Sequence, residues 1–149
     1  MSARPRKILH LDLDAFFCAV EALKNPSLNG KAFAVGGKAG QRGVISSCSY
    51  PARRAGVHSA MPTGQALRLC PGLILITCDF GEYSRKSHEV MAILQQLSGL
   101  VEQISVDEAF IDVSDLPQPM EEIARSLQHQ VMEKTGLPCS VGGASNKLI

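Results

Sequence analysis

The chain has 149 residues, of which 45% are hydrophobic and 19% are charged, with 13 glycines and 8 prolines. This composition is typical of one globular domain, with or without a sizeable insertion, and excludes a disordered or collagen-like chain. The five cysteines include no Cys-x-x-Cys pair, which argues against a disulfide framework or a zinc ribbon. No apolar run approaches the ~18 residues of a membrane span. We therefore expect a cytoplasmic protein with no membrane partner.

The net charge of +1 hides an uneven distribution of charge along the chain. Residues 1–78 contain ten Lys or Arg residues and three acidic ones, whereas residues 79–149 contain five and eleven. Such asymmetry indicates that one half faces phosphates, although two solvated surfaces would give the same counts. Two of the three acids in the basic half are Asp12 and Asp14. Carboxylates are thus concentrated at one point of an otherwise basic segment.

The first half of the chain predicts short elements separated by turns. Residues 7–14 alternate as a strand with leucines on one face, and helical spacing follows from Phe16 to Leu23. The turn residues of 25–30 end that helix. The remaining predicted elements are strands at 32–35, 44–48 and 73–77, a loop at 36–43, and short helices at 50–55 and 62–69.

Two long amphipathic helices dominate the second half. Apolar residues spaced by three and four from Tyr83 to Val101 predict a helix of about five turns. A second helix is predicted around 120–131, between strands at 109–113 and 139–142. The element order predicts an α+β fold, namely a ferredoxin-like split βαβ sandwich with a mostly antiparallel sheet and helices on one face. Residues 16–79 form a small inserted α/β domain in this prediction.

Three acidic side chains form the strongest candidate site. Asp12 ends the first strand and the adjacent Asp107 and Glu108 precede a later one, so they converge if those strands are neighbours. Carboxylates within ~4–6 Å raise one another's pKa unless a cation neutralises them, and Mg²⁺ prefers such oxygen ligands. Two such ions would clamp the attacking and leaving oxygens of a phosphoryl displacement. A helix cap at Asp12 and a solvated turn at 107–108 are the structural alternatives.

A second candidate site lies in the segment 47–57. Tyr50 and Arg53 are three residues apart and therefore share one helix face, where a phenol and a guanidinium suit phosphate oxygens. An ordinary surface helix is the alternative for this segment. The phenylalanines Phe16 and Phe17 follow the carboxylate strand directly, and helix core is the alternative for them, especially for Phe16.

Four segments of the chain resemble the Y-family translesion DNA polymerases, in particular their bacterial DNA polymerase IV branch. They are LDLDAFFCAVE at 11–21, GVISSCSYPARRAGV at 43–57, SAMPTGQA at 59–66 and SVDEAFID at 105–112. The resemblance runs in order from about residue 7 to residue 149. It implies that residues 1–15 and 80–149 are palm and 16–79 are fingers, with the thumb and little finger absent from this chain.

The resemblance implies a role for each matching acidic position. Asp12, Asp107 and Glu108 are the expected catalytic carboxylates, which would bind two Mg²⁺ ions, with Mn²⁺ as a substitute. The backbone carbonyl of Leu13 is an additional expected metal ligand. Asp14 is not expected to bind metal directly.

The same resemblance assigns the expected nucleotide-binding residues. Backbone N–H groups of Phe16 and Phe17 would bind the triphosphate, and the Phe17 ring would be the steric gate that excludes a 2′-hydroxyl. Ser47, Tyr50 and Arg53 would hold the β- and γ-phosphates.

Two small residues, Val44 and Ser46, complete the expected site. They would lie over the nascent base pair, and their small size would leave room for damaged templates. The implied function is template-directed transfer of dNMP from a dNTP to a primer 3′-hydroxyl by a DNA polymerase. We expect a monomer whose partners are primer–template DNA and dNTP. A sliding clamp is a further expected partner, bound through segments outside this chain.

The chain departs from the family pattern at several positions. Residues 47–50 read Ser-Cys-Ser-Tyr where relatives usually have Thr-Ala-Asn-Tyr, and Val106 and Gly143 replace isoleucines. None of these changes removes a reacting group. The sequence ends at Ile149, just before a lysine that reaches the triphosphate in the family. We therefore expect the front of a longer protein, weakly active or inactive by itself.

Three other functions fit parts of the sequence. The Asp12-Leu-Asp14 segment imitates the nucleophile and acid of haloacid-dehalogenase-type phosphatases, but that class needs a parallel sheet and a downstream lysine. Residues 106–110 echo the Gly-Gly-Asp-Glu-Phe motif of diguanylate cyclases without its glycine pair. The third alternative is a non-catalytic fragment that binds DNA or a clamp.

Overall fold

The computed structural model describes residues 6–144. The chain divides into two compact units. The first unit combines the chain up to Asp14 with the chain from Ser84 onward, and the second unit is Ala15–Tyr83. The second unit is therefore inserted into the sequence of the first, directly after the first strand.

Seven strands and five α-helices make up the described residues. The strands are β1 (Ile8–Leu13), β2 (Phe33–Gly36), β3 (Ile45–Cys48), β4 (Ile74–Ile76), β5 (Val101–Ser105), β6 (Glu108–Asp112) and β7 (Cys139–Ala144). The helices are α1 (Phe16–Lys24), α2 (Tyr50–Arg54), α3 (Thr63–Leu69), α4 (Phe80–Leu97) and α5 (Met120–Thr135), with 3₁₀ turns at Pro26–Leu28 and Ala39–Gln41. Within this range no helix is both long and apolar enough to cross a lipid bilayer.

The first unit is built on a four-stranded sheet in the order β5-β6-β1-β7, in which every neighbouring pair is antiparallel. Leucines 9, 11 and 13 of β1 are all buried, because alternate residues of a strand point to one face and that face is covered. The opposite face carries His10 and Asp12, which are only partly buried. This strand order is that of a ferredoxin-like split βαβ fold, so the predicted α+β class is confirmed.

One strand of this sheet was missing from the sequence-based prediction. The helix predicted from Tyr83 to Val101 ends at Leu97, and Val101 instead begins β5. Ser98 explains the break, because its hydroxyl donates to the Asp112 carbonyl at 2.7 Å and accepts the N–H of Leu100 at 3.1 Å. The periodic apolar spacing therefore continued past the true end of the helix by coincidence.

The second unit contains a three-stranded sheet in the order β3-β2-β4. The antiparallel β2–β3 hairpin requires glycines where its two arms approach closely. A Cβ on Gly43 would lie 2.2 Å from the carbonyl carbon of Gly37. Ser49 caps α2 and ties it to the sheet, since its hydroxyl accepts the N–H of Phe33 at 3.0 Å and donates to the Lys31 carbonyl at 2.9 Å.

Candidate active site

The sheet of the first unit brings the three predicted carboxylates together. Asp12 lies directly opposite Glu108 in the β1–β6 register. The N–H of Leu13 donates to the carbonyl of Asp107 at 2.8 Å, which fixes the end of β1 beside the turn between β5 and β6. In an antiparallel pair, opposite residues have Cβ atoms about 5 Å apart on the same face. The side chain of Asp12 therefore shares one sheet face with that of Glu108.

Electrostatics at this point disfavour the ionised form of Asp12. Partial burial raises the pKa of Asp12, and the neighbouring carboxylates of Asp107 and Glu108 raise it further. Only His10 acts in the opposite direction, with a smaller effect, while Asp14 adds to the repulsion. The folded chain thus holds a local excess of negative charge that a bound cation would relieve.

Hydrogen bonds hold the two acids of the turn in place. The Ser105 hydroxyl lies 2.8 Å from Asp107 Oδ1 and 3.3 Å from Glu108 Oε2, so its single proton can bond to either carboxylate. Glu108 Oε1 also lies 3.2 Å from His10 Nε2, whose N–H can donate to it. The two residues that contact these acids belong to the same sheet, Ser105 in β5 and His10 in β1.

These contacts bear on whether the site fits a metal ion. In the part of the chain that the structure describes, no group of three or more His, Cys, Asp or Glu side chains is arranged to enclose a metal. The contacts to His10 and Ser105 occupy oxygens of Glu108 that would otherwise face a cation. The donor set itself, three carboxylates on two adjacent strands and the turn that precedes one of them, has the hard anionic oxygens that Mg²⁺ prefers. Metal binding by the three carboxylates would therefore require their side chains to rotate.

A serine of α4 supports the turn that carries the acids. The Ser87 hydroxyl donates to the Val106 carbonyl at 2.6 Å, and the Gln103 amide nitrogen lies 3.3 Å from Ser87 Oγ and 3.0 Å from the Ser105 carbonyl oxygen. No motif of the sequence singled out Ser87, His10 or Ser105 as site residues. The alternation of β1, which places His10 on the face of Asp12, was the one signal that pointed to the histidine.

Asp14 does not belong to this cluster of acids. It lies just beyond β1, where its Oδ1 accepts a hydrogen bond from the Ser140 hydroxyl at 2.8 Å. Its own N–H donates to the Pro138 carbonyl at 3.0 Å. These bonds join the end of β1 to the start of β7 and give Asp14 a structural role.

The predicted residues of the second unit begin at the start of α1. Ala15 has a positive φ of 42°, and α1 has no side-chain cap at its N-terminus. The first N–H groups of a helix have no intrahelical acceptor, so those of Phe16 and Phe17 suit an anionic ligand. The Phe16 side chain is buried, whereas Phe17 is only partly so. Helix core is therefore the role of the Phe16 ring.

The predicted phosphate-binding side chains lie in and beside α2. The guanidinium carbon of Arg53 is 4.9 Å from the centre of the Tyr50 ring, and Tyr50 is 56% exposed. Ser47 differs from both, because it is buried and its Oγ has no hydrogen-bond partner among the described residues. A bond from Ser47 to a phosphate would require its side chain to turn outward.

Val44 and Ser46 both lie at the surface of the second unit. Val44 is 49% exposed, which is unusual for an aliphatic side chain beside a strand, and it pairs with Pro62. Ser46 is also exposed, and its carbonyl accepts a hydrogen bond from the Ser59 hydroxyl at 3.2 Å. Their exposure leaves both side chains free to meet a ligand, and their role over a base pair stays a prediction.

Comparison with known proteins identifies the family. The model of the impB/mucB/samB family matches residues 11–149. The chain belongs to this family. It is 44% identical to a DNA polymerase IV of Staphylococcus aureus over 147 residues, covering 97% of this chain and 45% of the relative. A DNA polymerase IV of Francisella philomiragia is 45% identical over 150 residues, which cover 99% of this chain and 43% of the relative.

Solved structures of this family have the same fold. The crystal structure of DinB from Sulfolobus solfataricus superposes with a TM-score of 0.90 at 30% identity, covering 95% of this chain and 43% of that one. An insertion ternary complex of Dbh DNA polymerase gives a TM-score of 0.89 at 30% identity and the same coverage. The resemblance to Y-family polymerases is therefore confirmed. The chain spans less than half the length of these relatives.

Proposed function

We propose that this chain supplies the catalytic palm and the fingers of a translesion DNA polymerase, which transfers dNMP from a dNTP to a primer 3′-hydroxyl. The first unit corresponds to palm and the second to fingers in this proposal. The observation that carries it is the placement of Asp12 opposite Glu108 and beside Asp107, with a raised pKa at Asp12. An antiparallel sheet argues against the phosphatase alternative, which requires a parallel one.

In this proposal Asp12, Asp107, Glu108 and the carbonyl of Leu13 hold two Mg²⁺ ions, with Mn²⁺ as a substitute. Bound Mg²⁺ would lower the pKa of the primer hydroxyl and stabilise the pyrophosphate leaving group. In the metal-free chain Ser105 holds the side chains of Asp107 and Glu108 beside each other. The protein's contribution is then to position oxygen ligands on a rigid sheet, with little covalent chemistry of its own.

The second unit would bind the nucleotide. The N–H groups of Phe16 and Phe17 and the side chains of Tyr50 and Arg53 would bind phosphate oxygens, with Ser47 joining them once its hydroxyl turns outward. Arginine bonds phosphate with two parallel N–H donors, which gives geometric specificity as well as charge. The Phe17 ring would exclude ribonucleotides. Clamp binding and a monomeric state stay predictions.

Because the chain covers only part of its relatives, the test uses a chimera. The chain would replace the matching segment of Staphylococcus aureus DNA polymerase IV, and primer extension would be measured with dNTPs and Mg²⁺. Asp107→Ala should lower the rate at least about 100-fold, because a lost metal ligand removes several kcal/mol of transition-state stabilisation. Asp115→Ala makes the same chemical change at an exposed position and should extend at the parent rate.

Two results would contradict the proposal. If the Asp107→Ala chimera extends the primer at the parent rate, the proposed catalytic role of the carboxylates is wrong. A chimera that binds primer–template DNA but extends no primer would favour the non-catalytic DNA-binding alternative.

A further inference from the structure

Two aromatic rings of the second unit, those of Tyr83 and Phe80, pack against Phe17, the predicted sugar-selecting residue. The ring of Phe17 stacks on that of Tyr83 with centroids 4.3 Å apart and an angle of 13° between the planes. Phe80 packs edge-on against both rings, at 6.2 Å from each. The near-parallel stack means that Tyr83 supports one whole face of the Phe17 ring. Phe17 therefore cannot move towards Tyr83 without displacing it.

Tyr83 is itself held by a buried carboxylate. Its hydroxyl donates to Glu21 Oε2 at 2.6 Å, and the two residues are only 1% and 5% exposed. Burial raises the pKa of Tyr83 well above its usual value, so the hydroxyl keeps its proton and remains a donor. A short hydrogen bond to a buried carboxylate is among the stronger kinds in proteins. The Tyr83 ring is thus fixed at its far end.

The carboxylate is anchored in turn by a lysine. Lys24 Nζ lies 3.4 Å from Glu21 Oε1 and 3.0 Å from Asp79 Oδ2. Both oxygens of Glu21 are therefore engaged, one by the tyrosine and one by the lysine. This arrangement satisfies a buried charge that would otherwise be costly to the fold.

From these contacts we infer that Glu21 and Tyr83 are positioning residues for Phe17, and that their hydrogen bond sets how strongly the site discriminates between deoxyribose and ribose. The inference rests on the proposed function, in which the Phe17 ring meets the sugar. Rejection of a 2′-hydroxyl needs a ring that does not yield, because one extra oxygen is excluded only where the wall is rigid. Neither Glu21 nor Tyr83 needs to touch the nucleotide for this effect.

The test compares deoxyadenosine and adenosine triphosphates on the 149-residue chain. Calorimetry with Mg²⁺ would give the ratio of the ATP Kd to the dATP Kd. Aromatic pair energies correspond to a factor of about 2 to 12, so Tyr83→Leu should lower this ratio by that factor. Tyr83→Phe keeps the ring but loses the anchor, and it should lower the ratio by at least about 2-fold. Glu21→Gln keeps an acceptor oxygen and should stay close to the parent ratio.

A matched control separates positioning from mere loss of stability. Leu73→Ala removes buried apolar atoms from the core of the same unit, in a cluster that contains none of these aromatic residues. It should lower the melting temperature and leave the ratio unchanged. An unchanged ratio in Tyr83→Phe and Tyr83→Leu would overturn the inference, as would an equal fall in Leu73→Ala. If Tyr83→Leu does not unfold cooperatively, the Kd ratio of Tyr83→Phe alone decides whether the inference holds.

A second measurement needs no nucleotide. The NMR shifts of the Phe17 ring protons report the ring current of the stacked Tyr83 ring. They should move towards unstacked values in Tyr83→Phe and keep the parent values in Glu21→Gln. Parent-like shifts in Tyr83→Phe would overturn the positioning role even if nucleotide binds. If the parent chain binds neither triphosphate, the same ratio is measured on the chimera, where failure of the proposed function would show as a lack of primer extension, and the ring measurement decides the positioning claim in either case.

Discussion

Replacement of Asp12 by asparagine should stabilise the protein when no metal is present. Asp12→Asn keeps the size of the side chain and removes a charge that Asp107 and Glu108 repel. Partly exposed charge pairs contribute roughly 0.2–1 kcal/mol each, so two repulsive pairs, partly offset by His10, amount to about 1 kcal/mol. For a chain of this size that gain corresponds to a rise in Tm of about 2–4 °C. Thermal unfolding followed by circular dichroism in EDTA at pH 7 measures it.

The pH dependence of this gain has a definite sign. The pKa of Asp12 is raised in the folded state, so ionisation of Asp12 destabilises the fold, and the penalty applies above that pKa. As the pH falls through the raised pKa towards the unfolded value of 3.8, Asp12 becomes neutral like asparagine and the difference in Tm should vanish. Asp115→Asn, at an exposed position, should show no gain. A lower Tm for Asp12→Asn at pH 7, or a gain independent of pH, would refute the reasoning.

Three further outcomes follow from packing and burial. Leu11→Ala should lower the free energy of unfolding by about 2–5 kcal/mol in urea titrations, because Leu11 is fully buried in the central strand. Gly43→Ala should cost about 1–3 kcal/mol by the same assay because its Cβ would meet backbone, whereas Gly40→Ala, which meets nothing within 4 Å, should cost much less. Burial raises the pKa values of Cys18 and Cys139 to about 11, so both thiols should resist alkylation by iodoacetamide at pH 8 until urea unfolds the chain.

The central strand of the first unit was predictable because apolar and polar residues alternate from Leu9 to Leu13. One face of β1 is leucine and the other carries His10 and Asp12, which is the pattern of a strand buried on one side. The β5 strand lacked such a pattern, since Val101–Ser105 is largely exposed and polar at the sheet edge. Its formation depends on pairing with β6, and pairing between strands leaves little trace in the sequence of one of them.

The candidate site was only partly visible in the sequence for a similar reason. Asp12 and Glu108 are distant in the chain, and only the β1–β6 register makes them neighbours. The register also placed Ser105 and His10 against the acids. No local motif indicated the serine, and only the alternation of β1 indicated the histidine. The hydrogen bond between Glu21 and Tyr83 joins residues 62 positions apart, and the helical spacing around each one indicates only core packing.

The position of Asp12, Asp107 and Glu108 in the sheet and the adjacent turn explains how the fold tolerates their mutual repulsion. Leu9, Leu11 and Leu13 are buried on one face of β1, so this part of the apolar burial does not depend on the carboxylates of the opposite face. That second face can therefore hold carboxylates whose mutual repulsion costs stability. A sequence selected for stability alone would replace Asp12 by a neutral residue, because that change relieves repulsion without disturbing the core. The gathering of three acids at the end of β1 and the adjacent turn is a local violation of the folding rules, and such violations concentrate where a ligand supplies the missing charge.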